Sequence, residues 1–172
     1  MNLLRQNLNP SPTRFAVLPS PVGELLASAD TVGKVTGLHF LDSRTPSRHA
    51  GWVHDEDALA PLRRQLQEYF AGERREFELE LAPTGSPFQL EVWSALRTIP
   101  YGETASYGEI AAAVGQPGAA RAVGGANNRN PIAIVVPCHR VIGASGSLTG
   151  YGGGLPRKQQ LLALEAGVQV LV

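Results

Sequence analysis

Cys138 is the only cysteine in this 172-residue chain, and His139 and Arg140 follow it directly in the stretch "NPIAIVVPCHRVIG". A thiol beside an imidazole is chemistry for nucleophilic attack: the thiolate is the nucleophile, and a neighbouring base or cation favours it over the thiol, whose free pKa is about 8.5. The bland alternative is a buried cysteine packed as a small hydrophobe. Three features favour the reactive reading. Pro137 cannot donate to a ladder, so the strand predicted over "IAIVV" stops there and leaves Cys138 at its end. His139 and Arg140 both favour the thiolate. Glu165 lies in the apolar last turn of a predicted helix, where the macrodipole disfavours a carboxylate, so it needs a partner, and it could orient the imidazole in a Cys138–His139–Glu165 arrangement. Neighbours in a straight strand point to opposite faces, so the pair requires a bend at "PCHR" or a bridging water.

The elements that must position these groups fall into two halves. "TRFAVLPSPVGELLASAD" reads as two strands joined at "PSPVG", and "KVTGLHFL" as a third. "DEDALAPLRRQLQEYFAG" reads as a helix opened by acidic residues, with Leu59, Leu62, Leu66, Tyr69 and Phe70 on one face and Gly72 at its end. "EFELELAP" alternates Phe77, Leu79 and Leu81 with glutamates, the pattern of a half-exposed strand. "APTGSP", residues 82–87, is the predicted linker, dividing the chain into 1–82 and 83–172.

Beyond it, Ser86 and Gln89 form a capping box with Pro87 at the first helical position, and Ser106 and Glu109 form another. The second box opens a short helix to about Val114. After a "GQPG" turn comes another helix, from about Ala119 to Asn128. Two short helices around a tight turn match a helix-turn-helix, or else a plain helical hairpin. The second helix is almost without bulk: Ala119, Ala120, Ala122, Gly124, Gly125 and Ala126 surround one long side chain, Arg121. Glycine costs a helix about 1 kcal/mol relative to alanine, so the pair implies a close neighbour, either another helix or a nucleic-acid backbone. "LPRKQQLLALEAG" reads as the last helix, with Leu161, Leu162 and Leu164 facing inward. Trp52 and Trp93 read as core residues.

Composition bounds the rest. Hydrophobic residues make up 43% and charged residues 17%, the balance of a globular chain long enough to bury a core. No apolar run approaches the roughly 20 residues of a membrane span. "MNLLRQNLNPSPTRF" has no signal-peptide core and reads as a frayed tail on a cytoplasmic protein. One cysteine supplies neither an internal disulfide nor a cysteine-based zinc site. The net charge is zero but unevenly spread: residues 1–85 carry a net −2 and residues 97–158 a net +4, which permits a polyanionic partner without demanding one.

At "VPCHRVI", Val136 to Ile142, the chain resembles the O6-alkylguanine-DNA alkyltransferases, the methylated-DNA–protein-cysteine methyltransferases. The resemblance extends over "YGETASYGEIAAAVGQPGAARAVGGA", "NP" at Asn130 and "YGGG" at Tyr151, about residues 86–167. The first half resembles that family's variable N-terminal domain only loosely. The resemblance implies an α+β fold: a small N-terminal sheet-plus-helix domain, then a mostly helical winged helix-turn-helix domain. It implies repair without cofactor or metal, in which Cys138 attacks the alkyl carbon on guanine O6 in duplex DNA, keeps the group as a thioether and acts once. His139 would take the thiol proton, through a water, with Glu165 holding the imidazole and Asn130 bracing the active-site turn. Tyr107 would crowd a phosphate, press the nucleotide to rotate out and donate to guanine N3. Arg121 would fill the gap left in the stack, with Ala120, Gly124 and Gly125 against the DNA. Tyr151, Gly152, Gly153 and Val141 would line the pocket for the flipped base.

The chain departs from the family pattern in three ways. Ala133 stands where many relatives have a second proline and Gly152 where some have serine, both bearing on methyl against larger groups. Asn127 and Asn128 are less basic than a DNA-facing helix leads one to expect. The expected state is a monomer, with cooperative binding along DNA left open. Three other readings compete. A lesion-binding relative lacks the acceptor cysteine; a cysteine hydrolase needs an oxyanion hole and leaves Arg121 unexplained; a transcription regulator leaves "PCHRV" unexplained.

Overall fold

The structure is a computed structural model and describes residues 12–42 and 51–168. The expectation of a frayed tail falls, for residues 1–11, outside the described residues. Strands β1 (Arg14–Leu18) and β2 (Leu25–Ala29) pair antiparallel through the predicted turn. Strand β3 (Val35–Phe40) adds antiparallel to β2, and β4 (Val53–His54) adds parallel to β1, giving the order β3-β2-β1-β4. Helix α1 (Ala60–Phe70) buries Leu62, Leu66 and Tyr69, preceded by buried Leu59, as its apolar stripe requires; Phe70 is half-buried. Leu18, Leu25, Ala27 and Leu38 of the sheet share one core with that stripe. The acidic run does not open α1: Asp55, Glu56 and Asp57 lie before its first turn, and Asp55 Oδ1 caps the preceding turn by accepting from Ala58 N at 3.0 Å.

The segment "EFELEL" is extended but is not a ladder strand. It meets β3 only through the Val35–Leu81 bridge, and the Gln65 side chain takes the place of a strand neighbour. Its amide nitrogen donates to Glu78 O at 3.1 Å, and its oxygen accepts from Glu78 N at 2.8 Å. A buried glutamine thus meets the backbone groups that a sheet would otherwise have to pair.

The C-terminal half is helical. Helix α2 (Pro87–Leu96) starts at the Ser86–Gln89 capping box and α3 (Tyr107–Ala113) at the Ser106–Glu109 box, both fully formed. Helix α4 (Ala120–Asn128) follows the turn after α3 and packs on both. Trp93 is buried, as expected, and its indole N–H ties α2 to Ala126 O of α4 at 2.9 Å. Strands β5 (Ala105–Ser106) and β6 (Val141–Ile142) pair parallel and bring the start of α3 beside the cysteine segment. Helix α5 (Leu155–Glu165) closes the described chain, burying Lys158, Leu161 and Glu165, with Leu162 and Leu164 only half-buried. No helix among the described residues is long and apolar enough to cross a membrane.

Candidate active site

The apolar run before Cys138 is not a strand. Beyond one bridge from Ile132 to Leu38, residues 132–137 coil into tight turns and are buried throughout. A short apolar run fits a buried strand and a buried turn equally well, and here a polar side chain decides between them. Asn130 Nδ2 donates to Val136 O at 2.8 Å, and Asn130 Oδ1 accepts from Ile132 N at 3.0 Å, clamping the two ends of the loop. Inside the clamp, Ile134 has φ +70°, a conformation a β-branched residue adopts only when its surroundings force it. The required bend at "PCHR" follows: Cys138–Arg140 form one 3₁₀ turn, and Asn127 Nδ2 holds Cys138 O at 3.3 Å.

Behind Cys138 lies a buried relay. His139 Nε2 and Glu165 Oε1 are 2.7 Å apart, and Glu165 also accepts from Arg140 Nε and Nη2 at 2.8 and 2.9 Å. Tyr69 OH donates to Glu165 Oε1 at 2.7 Å and Gly102 N to Oε2 at 3.3 Å. Burial alone would raise the Glu165 carboxyl, but the hydrogen bonds and charges of His139 and Arg140 outweigh it and hold it down at about 2. An ionised carboxylate only accepts, so His139 Nε2 carries the proton and Nδ1 is left as a lone-pair acceptor. Nδ1 is buried and bonds to no protein group among the described residues. Burial lowers the His139 pKa below 6.5 despite Glu165, which keeps the ring neutral and able to take a proton.

The thiol itself corrects an expectation. Burial pushes the Cys138 pKa up, against smaller opposing effects from Asn130, Lys158 and Tyr151. Arg140, expected to favour the thiolate, instead turns to Glu165 and to Ile99 O at 2.7 Å. The resting group is therefore a thiol, and proton removal must accompany attack.

Cys138 lies on a cavity of about 500 Å³ shared with Asn130, Tyr151, Gly152 and Gly153, which brings most of the predicted pocket together. A Cβ on Gly153 would meet the Phe40 ring at 2.6 Å, so only glycine fits, whereas one on Gly152 would sit 3.4 Å from Asn128 O. Val141 is not among the residues lining this cavity: its side chain is fully buried, and its carbonyl accepts from Lys158 Nζ at 2.5 Å. Tyr107 stands beside Gly124 at the helix-turn-helix, with its hydroxyl donating to Thr149 O at 3.1 Å. Arg121 is exposed in the first turn of α4, next to half-buried Ala120. A Cβ on Gly125 would meet nothing within 4 Å, so packing inside the protein does not account for that glycine. Asn127 is buried, which explains why it is not basic: it braces the cysteine turn instead of facing outward.

Sequence reasoning missed three contributors. Lys158 is fully buried, binds Val141 O and Thr149 O, and its charge acts on Cys138; its spacing from Leu161 and Glu165 on α5 was the available signal. Tyr69 falls on the predicted apolar stripe, yet a buried tyrosine hydroxyl demands a partner, and here it is Glu165. Trp52 is half-buried and lines the cavity, so it is not a plain core residue; it packs 6.3 Å from the Phe15 ring.

Comparison with known proteins bears on both halves. Residues 13–83 match the ribonuclease-like domain of 6-O-methylguanine DNA methyltransferase, and residues 87–167 match the DNA binding domain of the same family. A methylated-DNA–protein-cysteine methyltransferase of Mycolicibacterium paratuberculosis is 60% identical over 152 residues, 88% of this chain and 91% of the relative. One from Methanosarcina acetivorans is 51% identical over 88% of this chain and 97% of its own. The solved structure of Mycobacterium tuberculosis OGT in complex with DNA superposes with a TM-score of 0.84 at 53% identity, covering 90% of this chain and 93% of that one. A cysteine backed by a histidine–glutamate relay, beside a helix-turn-helix and in a chain so closely matched along both halves, belongs to the 6-O-methylguanine DNA methyltransferase family.

Proposed function

We propose that the protein repairs duplex DNA by moving an alkyl group from guanine O6 to Cys138, once per molecule. The observation that carries this reading is the Cys138 thiol on an open cavity with an oriented, neutral imidazole behind it. His139 Nδ1 takes the thiol proton, through a water, as Sγ attacks the alkyl carbon. The new C–S bond forms as the C–O6 bond breaks, its electron pair passes to the base, and the base takes up a proton from solvent, matched by the thiol proton that His139 later gives back, to be left as guanine. The imidazolium formed is stabilised by ionised Glu165. No cofactor enters this balance. A thioether does not hydrolyse, so the acceptor is consumed.

The target base must leave the stack to reach a buried thiol. Exposed Arg121 is the side chain suited to fill the gap, while Ala120, Gly124 and Gly125 leave the α4 backbone open to a close approach by DNA. Tyr107 would exchange its Thr149 partner for the phosphate or the base. Tyr151, Gly152 and Gly153 border the space for the flipped guanine. Acyl transfer is disfavoured, because Cys138 N already donates to Val136 O at 2.8 Å and is not available to an oxyanion. A free reactive thiol suits a reducing cytoplasm, and nothing in the mechanism requires more than a monomer.

Intact mass after mixing with a duplex carrying one O6-methylguanine tests the reading. One methyl gained per protein, on the Cys138 peptide and absent in Cys138→Ala, is expected. Binding without gain points to lesion sensing; neither binding nor gain refutes the assignment.

A further inference from the structure

The N-terminal half reaches into the reaction centre at a point no role assigned above requires. Tyr69 lies on α1 and is fully buried, yet its hydroxyl donates to Glu165 Oε1, the same oxygen that faces His139 Nε2. Its ring is held at 5.5 Å from Phe77 and edge-on to Tyr101 at 6.0 Å, which fixes where the hydroxyl points. A second tie lies nearby: Leu38 N donates to Pro131 O at 2.8 Å and Leu38 O accepts from Ala133 N at 3.0 Å, so β3 grips the turn that carries Cys138.

We propose that Tyr69 is a positioning residue for the transfer: by donating to the oxygen that holds His139, it sets the orientation of the Glu165 carboxylate and limits its pull on the imidazole proton. The N-terminal half then contributes to the relay itself as well as to its support. Glu165 and Lys158 of α5, and Arg140 and Cys138 of the cysteine turn, are the charged or titratable groups around His139; Tyr69 of α1 and Tyr101 of the loop before β5 act through Glu165. A carboxylate oxygen that gives part of its charge to a phenol has less for the imidazole. Removing the hydroxyl therefore strengthens Glu165's grip on His139, favours the imidazolium and makes the ring a base only at higher pH.

The inference rests on the transfer reaction proposed above. Its test is the pH profile of the single-turnover transfer rate with O6-methylguanine duplex, for wild type, Tyr69→Phe and Leu66→Ala. Phenylalanine keeps the packed ring. The expected result for Tyr69→Phe is an acidic limb moved up by about half a pH unit or more, with a rate below that limb reduced about threefold. Leu66→Ala, a buried truncation on the same helix, is expected to lower stability without moving the limb. A Tyr69→Phe limb that coincides with wild type overturns the proposal, and so does an equal shift in Leu66→Ala, which would make the effect one of folding alone. Wild type that transfers nothing would instead overturn the assigned reaction.

Discussion

Asn130 offers the sharpest test of how the active-site turn is held, because its two hydrogen bonds can be removed separately. In Asn130→Ala both are lost. Ile132 N, fully buried, is left without its only partner among the described residues, at a cost of about 1–3 kcal/mol. Val136 O keeps the Cys138 amide as a donor, so its loss is smaller, about 0.5–1.5 kcal/mol. The sum, about 1.5–4.5 kcal/mol, is expected in the urea midpoint. Freed of the clamp, Ile134 relaxes from φ +70° and Cys138 moves off its position, so the transfer rate falls as well. Asn130→Asp separates the effects. It retains an acceptor for Ile132 N but loses the donor to Val136 O and to the Cys138 sulfur and turns a carboxylate oxygen toward that carbonyl, so stability falls by about 1 kcal/mol or more. It also places a negative charge near a thiol whose pKa burial has already raised, and transfer slows by far more than stability accounts for. The assay is the urea midpoint beside single-turnover transfer. An aspartate variant as unstable as the alanine variant, yet transferring at the wild-type rate, would refute the reasoning.

Acid should weaken the fold in two stages. His139 has its folded pKa below 6.5, so as pH drops through 6.5 the unfolded chain gains a proton first; the stability Glu165 contributes is full above 4.5 and lost as pH falls toward about 2, on the order of 3 kcal/mol. Urea midpoints should therefore decline from pH 7 to 3, with a shallower decline below 4.5 in Glu165→Gln; a flat wild-type profile contradicts this. Gly125→Ala should raise helix stability by about 0.5–1 kcal/mol, since its Cβ meets nothing within 4 Å, while weakening duplex binding in a titration at fixed salt. Unchanged affinity would mean that the α4 backbone is not approached there. Arg121→Ala should slow transfer from duplex and spare transfer from the free base O6-methylguanine; equal losses would point to folding instead of extrusion.

Two helix starts, those of α2 and α3, were legible because their causes are local. Ser86 with Gln89 and Ser106 with Glu109 each satisfy backbone donors within one turn, and both boxes form where the spacing places them. Glu165 was legible as a carboxylate in need of a partner, though only His139 among its four partners was named in advance. The misreadings share one origin. "IAIVV" and "EFELEL" have strand patterns, but whether an extended run finds a ladder depends on distant side chains, and Asn130 and Gln65 supply the bonds instead. Arg140 looked like a cation for the thiol because the two are near in sequence, while its carboxylate lies 25 residues away.

The burial of Cys138 has a consequence for the economy of the cell. A protein that works once loses everything to a wasted encounter, and thiolates in solution react readily with peroxides, disulfides and stray electrophiles. Held as a thiol at 5% exposure, with its base sealed behind it, Cys138 presents little to such reagents. The feature that makes the nucleophile sluggish at rest thus gives it a long shelf life, and its reactivity is released by a partner that fits the cavity.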